Sequence, residues 1–384
     1  MNTEFDYIIA GGGCSGLSLA YCLSKSALSD KKILIVDKEA KLQNDKTWCF
    51  WTQEATPFDN IVYRQWKHIE FITENYQQIY NLLTLSYKII RGIDFYREVK
   101  QQLAKFPNII FVQDTIINVS ETAENVVLQT QNQTFSGKYL FDSRISPETY
   151  KDADRILLQH FKGWVIKTEK PRFDVSKMTM FDFRIDQANE VRFFYILPYE
   201  NNKALIEFTI FGKEVFKNQD DYLIPLKHYI TNTLEITDFE IEQEEFGIIP
   251  MTDFEFADRQ GQRIKRIGIA GGQSKASTGY TFLNIQRDSM NIVQSLETTG
   301  QPFYENNFKR HFQKRFKLYD KIILDIMLRK GGSIKDIFAI LFRNNPIEDV
   351  LYFLDNQTNF ATDLKIMASV PPMPFLKSIK NIIS

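Results

Sequence analysis

The chain has 384 residues, which is long enough for one large hydrophobic core or two intertwined domains. Its content of 43% hydrophobic and 25% charged residues is typical of a globular protein and excludes a disordered or fibrous one. The net charge of -1 provides no global positive field, so nucleic acid is not expected as a partner. The 4 histidines have no His or Cys neighbour at metal-ligand spacing, and no metal site is predicted.

Cysteine usage and the N-terminal segment favour a cytoplasmic protein. Cys14, Cys22 and Cys49 are too few and too unevenly spread for a disulfide framework, which fits a reducing compartment. Residues 1–5 are polar, unlike a signal peptide, and no apolar run approaches the roughly 20 residues of a transmembrane helix. The 32 Phe and 17 Tyr indicate extensive aromatic surface around a core or an apolar ligand.

The first predicted unit is a strand at residues 6–10, a glycine-rich loop at residues 11–16 and a helix with apolar residues at helical spacing. The loop has the pattern GxGxxG, which allows a tight turn, close approach of a pyrophosphate and close packing of helix on strand. Free N–H groups at the helix start suit the phosphates. The predicted cofactor-binding residues of this loop are Gly11, Gly13, Ser15 and Gly16.

A second strand, residues 32–36, ends at Asp37, where a carboxylate can accept hydrogen bonds from ribose hydroxyls. A glycine-rich turn in an ordinary α/β protein would explain the glycines but not Asp37. The βαβ unit alone does not distinguish FAD from NAD. Because the chain contains no second copy of the motif, the layout of reductases with two dinucleotide sites is disfavoured.

Alternating apolar residues between positions 161 and 211 predict successive antiparallel strands, a change from the βαβ pattern before them. We therefore expect an α/β fold with a discontinuous Rossmann-like domain at 1–155 and 240–300. An antiparallel-sheet substrate domain at 156–239 is inserted into it, and a helical region follows at 301–384.

A second glycine turn follows a strand-like segment near the other end of the chain. Residues 267–272 run into this turn, and a predicted helix begins after Tyr280. The turn predicts that Gly271, Gly272, Thr278 and Gly279 complete the nucleotide site from the far end of the sequence. A helix cap by Ser277 or Thr278 is the structural reading of the same segment, and the two readings are compatible.

The C-terminal region contains two candidates for membrane contact. In residues 308–317, three phenylalanines lie on one helical face and basic residues lie between them. The alternative is a helix that packs on its own core and exposes a charged face. The second candidate is the apolar, proline-rich segment 371–376.

The order of several motifs resembles the bacterial CrtY-type lycopene β-cyclases, a flavin-dependent carotenoid cyclase family. The resemblance covers roughly residues 5 to 290, and the helical C-terminus matches only in character. After the loop and Asp37, its motifs are KTWCF at 46–50, FKGW at 161–164, MFDFR at 180–184, FYILP at 194–198, ALIEFT at 204–209, IPMT at 249–252, AGG at 270–272 and STGY at 277–280.

This resemblance implies an isomerase (an intramolecular lyase) that holds FAD in a fold related to hydroxylase-type and prenyl-reductase flavoproteins. It closes the linear ends of lycopene to β-ionone rings, giving γ-carotene and then β-carotene. In the family, FAD must be reduced, with NAD(P)H as reductant, although no net redox change occurs. Protonation of the terminal alkene produces a carbocation, which an anionic reduced flavin would stabilise in a dry pocket.

The resemblance identifies Glu207 as the candidate acid. Strand alternation puts Glu207 on one face with Leu205 and Thr209, and desolvation there would raise the pKa of its carboxyl and keep it protonated. An exposed strand residue is the alternative reading, and the flavin is an alternative proton donor. Trp48, Phe194 and Tyr195 are candidate aromatic walls for the polyene or its cation, with core packing as the alternative.

The chain departs from the related hydroxylases at the late glycine turn. Those proteins usually have Gly-Asp there, with the carboxylate on the flavin ribityl chain, whereas this chain has Gly271 and Gly272. This difference disfavours oxygen-activating chemistry. An FAD-dependent monooxygenase or prenyl reductase acting on an apolar substrate, and a non-catalytic carotenoid- or lipid-binding flavoprotein, are the competing functions.

Because a C40 hydrocarbon resides in lipid, we expect peripheral attachment to the cytoplasmic face of the cell membrane. The sequence does not decide the oligomeric state, whether one or both ends of the carotenoid are cyclised, or whether the double bond of the new ring is in the β or the ε position.

Overall fold

The computed structural model describes residues 4–304 and 307–383, with side chains at all of these positions except 307–313 and 383. The strands are β1 (Glu4–Ala10), β2 (Ile33–Asp37), β3 (Thr47–Thr52), β4 (Arg64–Trp66), β5 (His68–Ile72), β6 (Gln77–Asn81), β7 (Ser86–Arg91), β8 (Ile109–Gln113), β9 (Ile116–Glu121), β10 (Val126–Thr130), β11 (Thr134–Asp142), β12 (Ile156–Lys167), β13 (Lys177–Asp182), β14 (Val191–Glu200), β15 (Lys203–Gly212), β16 (Glu240–Thr252), β17 (Arg259–Gln260) and β18 (Ile264–Arg266). The helices are α1 (Cys14–Ser24), α2 (Gly92–Leu103), α3 (Asp220–His228), α4 (Phe282–Thr299), α5 (Asn307–Lys330), α6 (Ile334–Asn344), α7 (Ile347–Leu354), α8 (Phe360–Ala368) and α9 (Pro372–Ile383).

The first sheet has the strand order β17-β18-β11-β1-β2-β8, with β10 and β9 added beside β11. The strands β18, β11, β1, β2 and β8 run parallel to one another, whereas β17 and β10 pair antiparallel with β18 and β11. Helices cover a parallel sheet on its faces, and the buried apolar runs of β1 and β2 reflect this. The carboxyl ends of these strands therefore bring the residues after Ala10, Val36, Asp142 and Arg266 to one edge of the sheet.

The second sheet has the order β16-β12-β15-β14-β13-β5-β6. Strand β12 pairs antiparallel with β15 on one side and with β16 on the other. One face of this sheet packs against α3 and the turn that follows it, Tyr229–Thr233. The other face packs against a third, small sheet, β3-β7-β4, and against the C-terminal helices.

The fold class is the one predicted from the sequence, a Rossmann-like α/β domain with an antiparallel sheet and a helical C-terminal region. The predicted domain limits remain a proposal, and the second sheet extends beyond residues 156–239. It continues through β16 to Thr252 and also contains β5 and β6, whose strands precede Ile156 by more than seventy positions. Among residues 4–304 and 307–383, no helix has both the length and the apolar character needed to cross a bilayer.

Candidate active site

The loop after β1 has the geometry that its glycines predict. Gly11 has φ +107°, in the region that side chains disfavour, and a Cβ on Gly16 would lie 2.0 Å from the carbonyl oxygen of Gly11. A Cβ built on Gly13 would meet no atom within 4 Å. Gly11 and Gly16 are thus needed for the loop itself, whereas Gly13 leaves open space beside the N-terminus of α1. This cradle fits the pyrophosphate of a dinucleotide.

Asp37, at the end of β2, holds this loop in place. Its Oδ2 accepts a hydrogen bond from the backbone N–H of Gly12 at 2.7 Å, and its Oδ1 accepts one from Glu39 at 2.8 Å. The half-buried carboxylate retains lone pairs for further donors. Its predicted role as a ribose acceptor is compatible with this position and stays a prediction.

The late glycine turn lies against the first glycine loop, although more than 250 residues separate them in the chain. A Cβ on Gly268 would lie 2.6 Å from Ser15 Oγ, so the turn approaches the start of α1 closely. Gly272 and Gly279 have φ +74°, and the buried hydroxyl of Thr278 has no hydrogen-bond partner among the described residues. The Thr278 hydroxyl is therefore available to a ligand, whereas the N–H groups of Gly271, Gly272, Thr278 and Gly279 already donate to carbonyls within the turn.

The structural reading of this segment, a helix cap by Ser277 or Thr278, is wrong. The N-cap residue of α4 is Thr281, and no side chain caps the helix there. Ser277 instead donates its hydroxyl hydrogen bond to Asp320 Oδ1 at 2.6 Å, and Lys275 Nζ contacts the same oxygen at 2.5 Å. Because Asp320 belongs to α5, this buried cluster fixes the late turn to the C-terminal helices.

Glu207 lies in the middle of β15, on the face of the second sheet that points to the small sheet. Its side chain is buried, with 9% of its surface exposed, so the reading of an exposed strand residue is wrong. Thr209 Oγ1 donates to Glu207 Oε1 at 2.6 Å. Burial, followed by the charge of Glu245 and the hydrogen bond with it, raises the pKa of Glu207 well above its usual value. These surroundings favour the protonated form of the Glu207 carboxyl.

Glu245 is a second buried carboxyl, and sequence reasoning missed it. It is 8% exposed and accepts a hydrogen bond from Thr47 Oγ1 at 2.8 Å. Glu245 follows a run of exposed polar residues in β16, among them Glu244, and nothing in the sequence sets one glutamate apart from the other. Period-two alternation with Gly247 and Met251, both of which are buried, was the weak signal available.

Aromatic and polar side chains surround the two carboxyls. Tyr195 stands opposite Glu207 on the neighbouring strand, as its prediction as a wall requires. The Tyr280 hydroxyl lies 3.4 Å from that of Tyr195 and 3.2 Å from that of Tyr87. Trp51 packs edge-on against Tyr280, with ring centroids 4.5 Å apart. The lining therefore offers π faces and hydroxyl groups without an arginine or lysine ion pair to Glu207 or Glu245 among the described contacts.

Two of the predicted aromatic walls lie elsewhere. Phe194 is on the opposite face of the sheet from Glu207, where it stacks on Tyr229 with ring centroids 3.7 Å apart. Trp48 packs against Phe95 and Phe282 in the hydrophobic cluster of the nucleotide-binding domain. Strand alternation explains both placements, because successive side chains of a strand point to opposite faces. Tyr195 and Thr47 face the carboxyls, so their neighbours Phe194 and Trp48 point away from them.

The basic stripe predicted at 308–317 is described only in part, because its side chains through position 313 lie outside the described residues. In the remainder, Phe316 is buried and contacts Tyr319 and Phe353, while Arg315 pairs with Asp363. This part of α5 packs on the core of the protein.

Comparison with known proteins agrees with the fold and with the order of the motifs. The family model described as lycopene cyclase protein matches residues 6–380. The chain belongs to this family. It is 22% identical to the lycopene beta-cyclase of Pantoea ananas over 414 residues, with 100% of this chain and 99% of the relative covered.

Members of the lycopene cyclase family share their fold with proteins of several other activities. This chain is similar to a geranylgeranyl bacteriochlorophyll reductase-like protein of Thermoplasma acidophilum, with TM-score 0.64, 13% identity and coverage of 98% and 99% of the two chains. It is similar to the flavin-dependent brominase Bmp2, with TM-score 0.62, 13% identity and 99% coverage of both chains. A substituted form of the HpxO protein of Klebsiella pneumoniae, complexed with FAD, gives TM-score 0.62, 12% identity and coverage of 96% and 100%.

Proposed function

We propose that this chain is a lycopene β-cyclase, an isomerase that closes the linear ends of lycopene by acid-initiated carbocation chemistry. The observation that carries the proposal is the buried carboxyl of Glu207, which faces Tyr195 among aromatic side chains. Burial and the neighbouring Glu245 raise its pKa, and the described contacts include no arginine or lysine ion pair to it. A hydrocarbon substrate offers no polar handle, so the reaction needs a strong proton donor held away from water. Family membership and the relative from Pantoea ananas support the same substrate class.

FAD is the cofactor that we propose for the glycine loops. Gly11, Gly13, Ser15 and Gly16 would hold its pyrophosphate, Asp37 its ribose, and Gly271, Gly272, Thr278 and Gly279 its remaining polar groups. The open space at Gly13, the contact of Gly268 with Ser15 and the unpartnered Thr278 hydroxyl support this assignment. Reduced FAD, with NAD(P)H as reductant, would supply negative charge near the carbocation.

The residues of the chain would act in the following way. Glu207 donates its proton to the terminal alkene, and a C–H bond forms as the π bond is lost. The tertiary cation then closes the ring, and the faces of Tyr195, Trp51 and Tyr280 attract its positive charge. Loss of a proton from the new ring returns one proton to the site. Proton gain equals proton loss, so the oxidation state of the substrate does not change.

The deciding experiment incubates the FAD-loaded protein, reduced under anaerobic conditions, with lycopene in detergent micelles, followed by chromatography of the carotenoids. We expect monocyclic and bicyclic products from the wild type. Glu207→Gln should reduce product formation by at least about 100-fold, since removal of a general acid typically costs 10²–10⁴-fold. Retained FAD absorbance would show that the variant is folded.

The competing functions predict different results in the same assay. A monooxygenase or prenyl reductase would consume NAD(P)H in proportion to product, whereas the cyclase needs reductant only to keep FAD reduced. A non-catalytic carotenoid-binding flavoprotein would be unaffected by Glu207→Gln. Absence of any cyclic product from the reduced wild-type protein would overturn the proposal.

We also propose that the protein attaches peripherally to the cytoplasmic face of the cell membrane, where its substrate resides. Two C-terminal helices support a contact surface. In α9, Met373 and Leu376 are 59% and 56% exposed, and the exposed Lys377 and Lys380 lie beside them. In α8, Phe360 and Leu364 are 58% and 50% exposed on one helical face. Exposed apolar residues next to lysines suit an anionic lipid surface.

A further inference from the structure

Glu207 and Glu245 meet above a glycine in the strand between them. Strand β12 lies between β15 and β16, and Gly163 is in register with Glu207 on one side and with Glu245 on the other. Strands that flank a third strand are about 10 Å apart, so two glutamate side chains can meet only if the intervening position is empty. A Cβ on Gly163 would lie 3.0 Å from Glu245 Cγ. The space that glycine leaves lets the two carboxyl groups interact directly, and this interaction is among the causes that shift the pKa of each.

Each carboxyl also has one hydroxyl donor of its own. Thr209 donates to Glu207 from the same strand, and Thr47 donates to Glu245 from β3 of the small sheet. The thiol and hydroxyl groups packed around the pair include Cys49, Tyr87, Tyr195, Tyr199 and Tyr280, and burial raises the pKa of each. The negative charge of Asp45 also acts on Glu245 and raises its pKa. Lys46 is a cation whose charge acts on both carboxyls, and its ammonium group donates to the backbone carbonyl of Phe246 at 3.1 Å.

We propose that Glu245 is a positioning residue for the acid, because the pair holds a single proton that resides on Glu207 and is hydrogen-bonded to the Glu245 carboxylate. This inference rests on the proposed cyclase function and extends it. Two ionised carboxylates in direct contact repel each other strongly in a dry site until a cation forms beside them, and one shared proton removes that repulsion. Both carboxyls have a threonine donor, but Lys46 binds the chain next to Glu245, at the Phe246 carbonyl, and its positive charge favours the ionised form there. The proton is therefore assigned to Glu207, the residue that faces Tyr195.

The proposal accounts for the proton through a full cycle. Glu207 loses its proton to the alkene carbon, and the pair then has two negative charges near the substrate cation. The proton released from the new ring returns to the pair and is again shared by Glu207 and Glu245. No oxidant or reductant takes part in this exchange.

The first test is the pH dependence of ring formation in Glu245→Gln, with reduced FAD and lycopene in micelles. Activity requires protonated Glu207, so it is present at low pH and lost as the pH rises through the raised pKa of that group. Removal of the Glu245 charge removes one cause of the raised pKa, and we expect the alkaline limb to shift to lower pH by about one unit or more. Glu245→Asp keeps the negative charge, so its alkaline limb should lie between those of Glu245→Gln and the wild type.

Glu244→Gln is the matched control, because this neighbouring glutamate is exposed on the other face of β16 and pairs with Lys162. Its pH profile should equal that of the wild type. A Glu245→Gln enzyme that loses activity equally at every pH, with an unmoved limb, would contradict the proposal and assign Glu245 a structural role.

A second readout needs neither substrate nor turnover. Infrared spectra of the protein at neutral pH should contain the C=O stretching band of a protonated carboxyl that Glu207→Gln removes and Glu244→Gln retains. In Glu245→Gln, the band should disappear at a lower pH than in the wild type. Persistence of this band in Glu207→Gln would overturn the inference.

The two readouts separate failure of the inference from failure of the function. If the wild type makes no cyclic carotenoid and the band behaves as expected, the cyclase proposal fails and the proton-sharing pair stands. If cyclisation occurs and neither the limb nor the band moves in Glu245→Gln, only the inference fails.

Discussion

At the scale of single residues, the site depends on side chains that are absent as well as on those that are present. Gly163 has an ordinary strand conformation, so its role is not to adopt an unusual φ. It leaves the space above β12 in which Glu207 and Glu245 meet. The same logic applies at Gly247, where a Cβ would lie 2.3 Å from the Phe161 ring. Packing space across strands, not backbone freedom, is the reason for glycine at both positions.

Gly163→Ala tests this role. The added methyl would lie 2.9 Å from Leu205 Cδ1 and 3.0 Å from Glu245 Cγ, both on flexible side chains. We expect a loss of about 1–3 kcal/mol in the free energy of unfolding, typical of overpacking, with the fold retained. Displacement of the carboxyls should reduce cyclisation by roughly 10- to 100-fold.

Denaturant unfolding and product chromatography measure the two effects of Gly163→Ala. Lys162→Ala is the control in the adjacent position, since its side chain pairs with Glu244 on the other face. Unaltered activity in Gly163→Ala would show that the spacing of the two carboxyls is unimportant.

At the scale of elements, glycine is required for different structural reasons at Gly13 and Gly16 of the β1–loop–α1 unit. A Cβ on Gly16 would meet the backbone of Gly11, which cannot move aside without displacing the loop. Gly13 is the N-cap residue of α1, with φ -82° and free space around its missing Cβ. One glycine is therefore required for folding and the other for ligand approach.

Gly13→Ala and Gly16→Ala should separate these two requirements. We expect Gly13→Ala to lower the free energy of unfolding of the apoprotein by less than about 1 kcal/mol, the ordinary cost of alanine at an N-cap. FAD affinity should fall by roughly tenfold or more, since about 1.4 kcal/mol of lost contact corresponds to tenfold.

Gly16→Ala should instead lower apoprotein stability by at least about 2 kcal/mol, because backbone has to shift. Thermal melting of the apoprotein and fluorescence titration with FAD provide the two measurements. Equal FAD affinity in Gly13→Ala and wild type would remove Gly13 from the proposed cofactor site.

At the scale of the whole molecule, the site lies at the junction of three parts of the chain. Trp51 Nε1 of the small sheet donates to the Leu351 carbonyl of α7 at 3.1 Å, and Glu348 accepts from the backbone of Thr84 and Leu85. Lys275 and Asp320 join the late glycine turn to α5. The C-terminal helices therefore cover the face of the second sheet that contains Glu207, and they also present the exposed apolar residues of α8 and α9.

Membrane attachment is a prediction at this scale. Each lysine near an anionic surface contributes about 1 kcal/mol to binding, so Lys377→Gln with Lys380→Gln should weaken vesicle binding by about 2 kcal/mol, or roughly 30-fold. Flotation with vesicles that contain anionic lipid, compared with neutral vesicles, measures this change.

The matched control for the flotation experiment is Lys170→Gln with Lys227→Gln, two exposed lysines far from α8 and α9 in the chain. Their neutralisation should leave vesicle binding unchanged. Equal binding of both double variants would exclude the outer face of α9 as the contact surface.

The sequence by itself determined the local elements and the family. Gly11–Gly16 and Asp37 predicted the βαβ unit because strand, turn and helix are encoded within about thirty consecutive residues. The alternating pattern predicted most strands of the second sheet, and the motif around Glu207 predicted a candidate acid. It missed the small sheet, whose strands β3, β4 and β7 are short and separated by irregular segments.

Only the tertiary structure decided which side chains share the site. Glu245, Gly163 and Thr47 reach Glu207 from three other strands, and no local pattern contains strand order or register. The sequence also does not reveal which face of each strand borders the site, and for this reason Phe194 and Trp48 were predicted to line it together with Tyr195. Burial is likewise a property of the tertiary structure: other elements remove the water around Glu207 and bring Glu245 beside it, and both effects raise the pKa of its carboxyl.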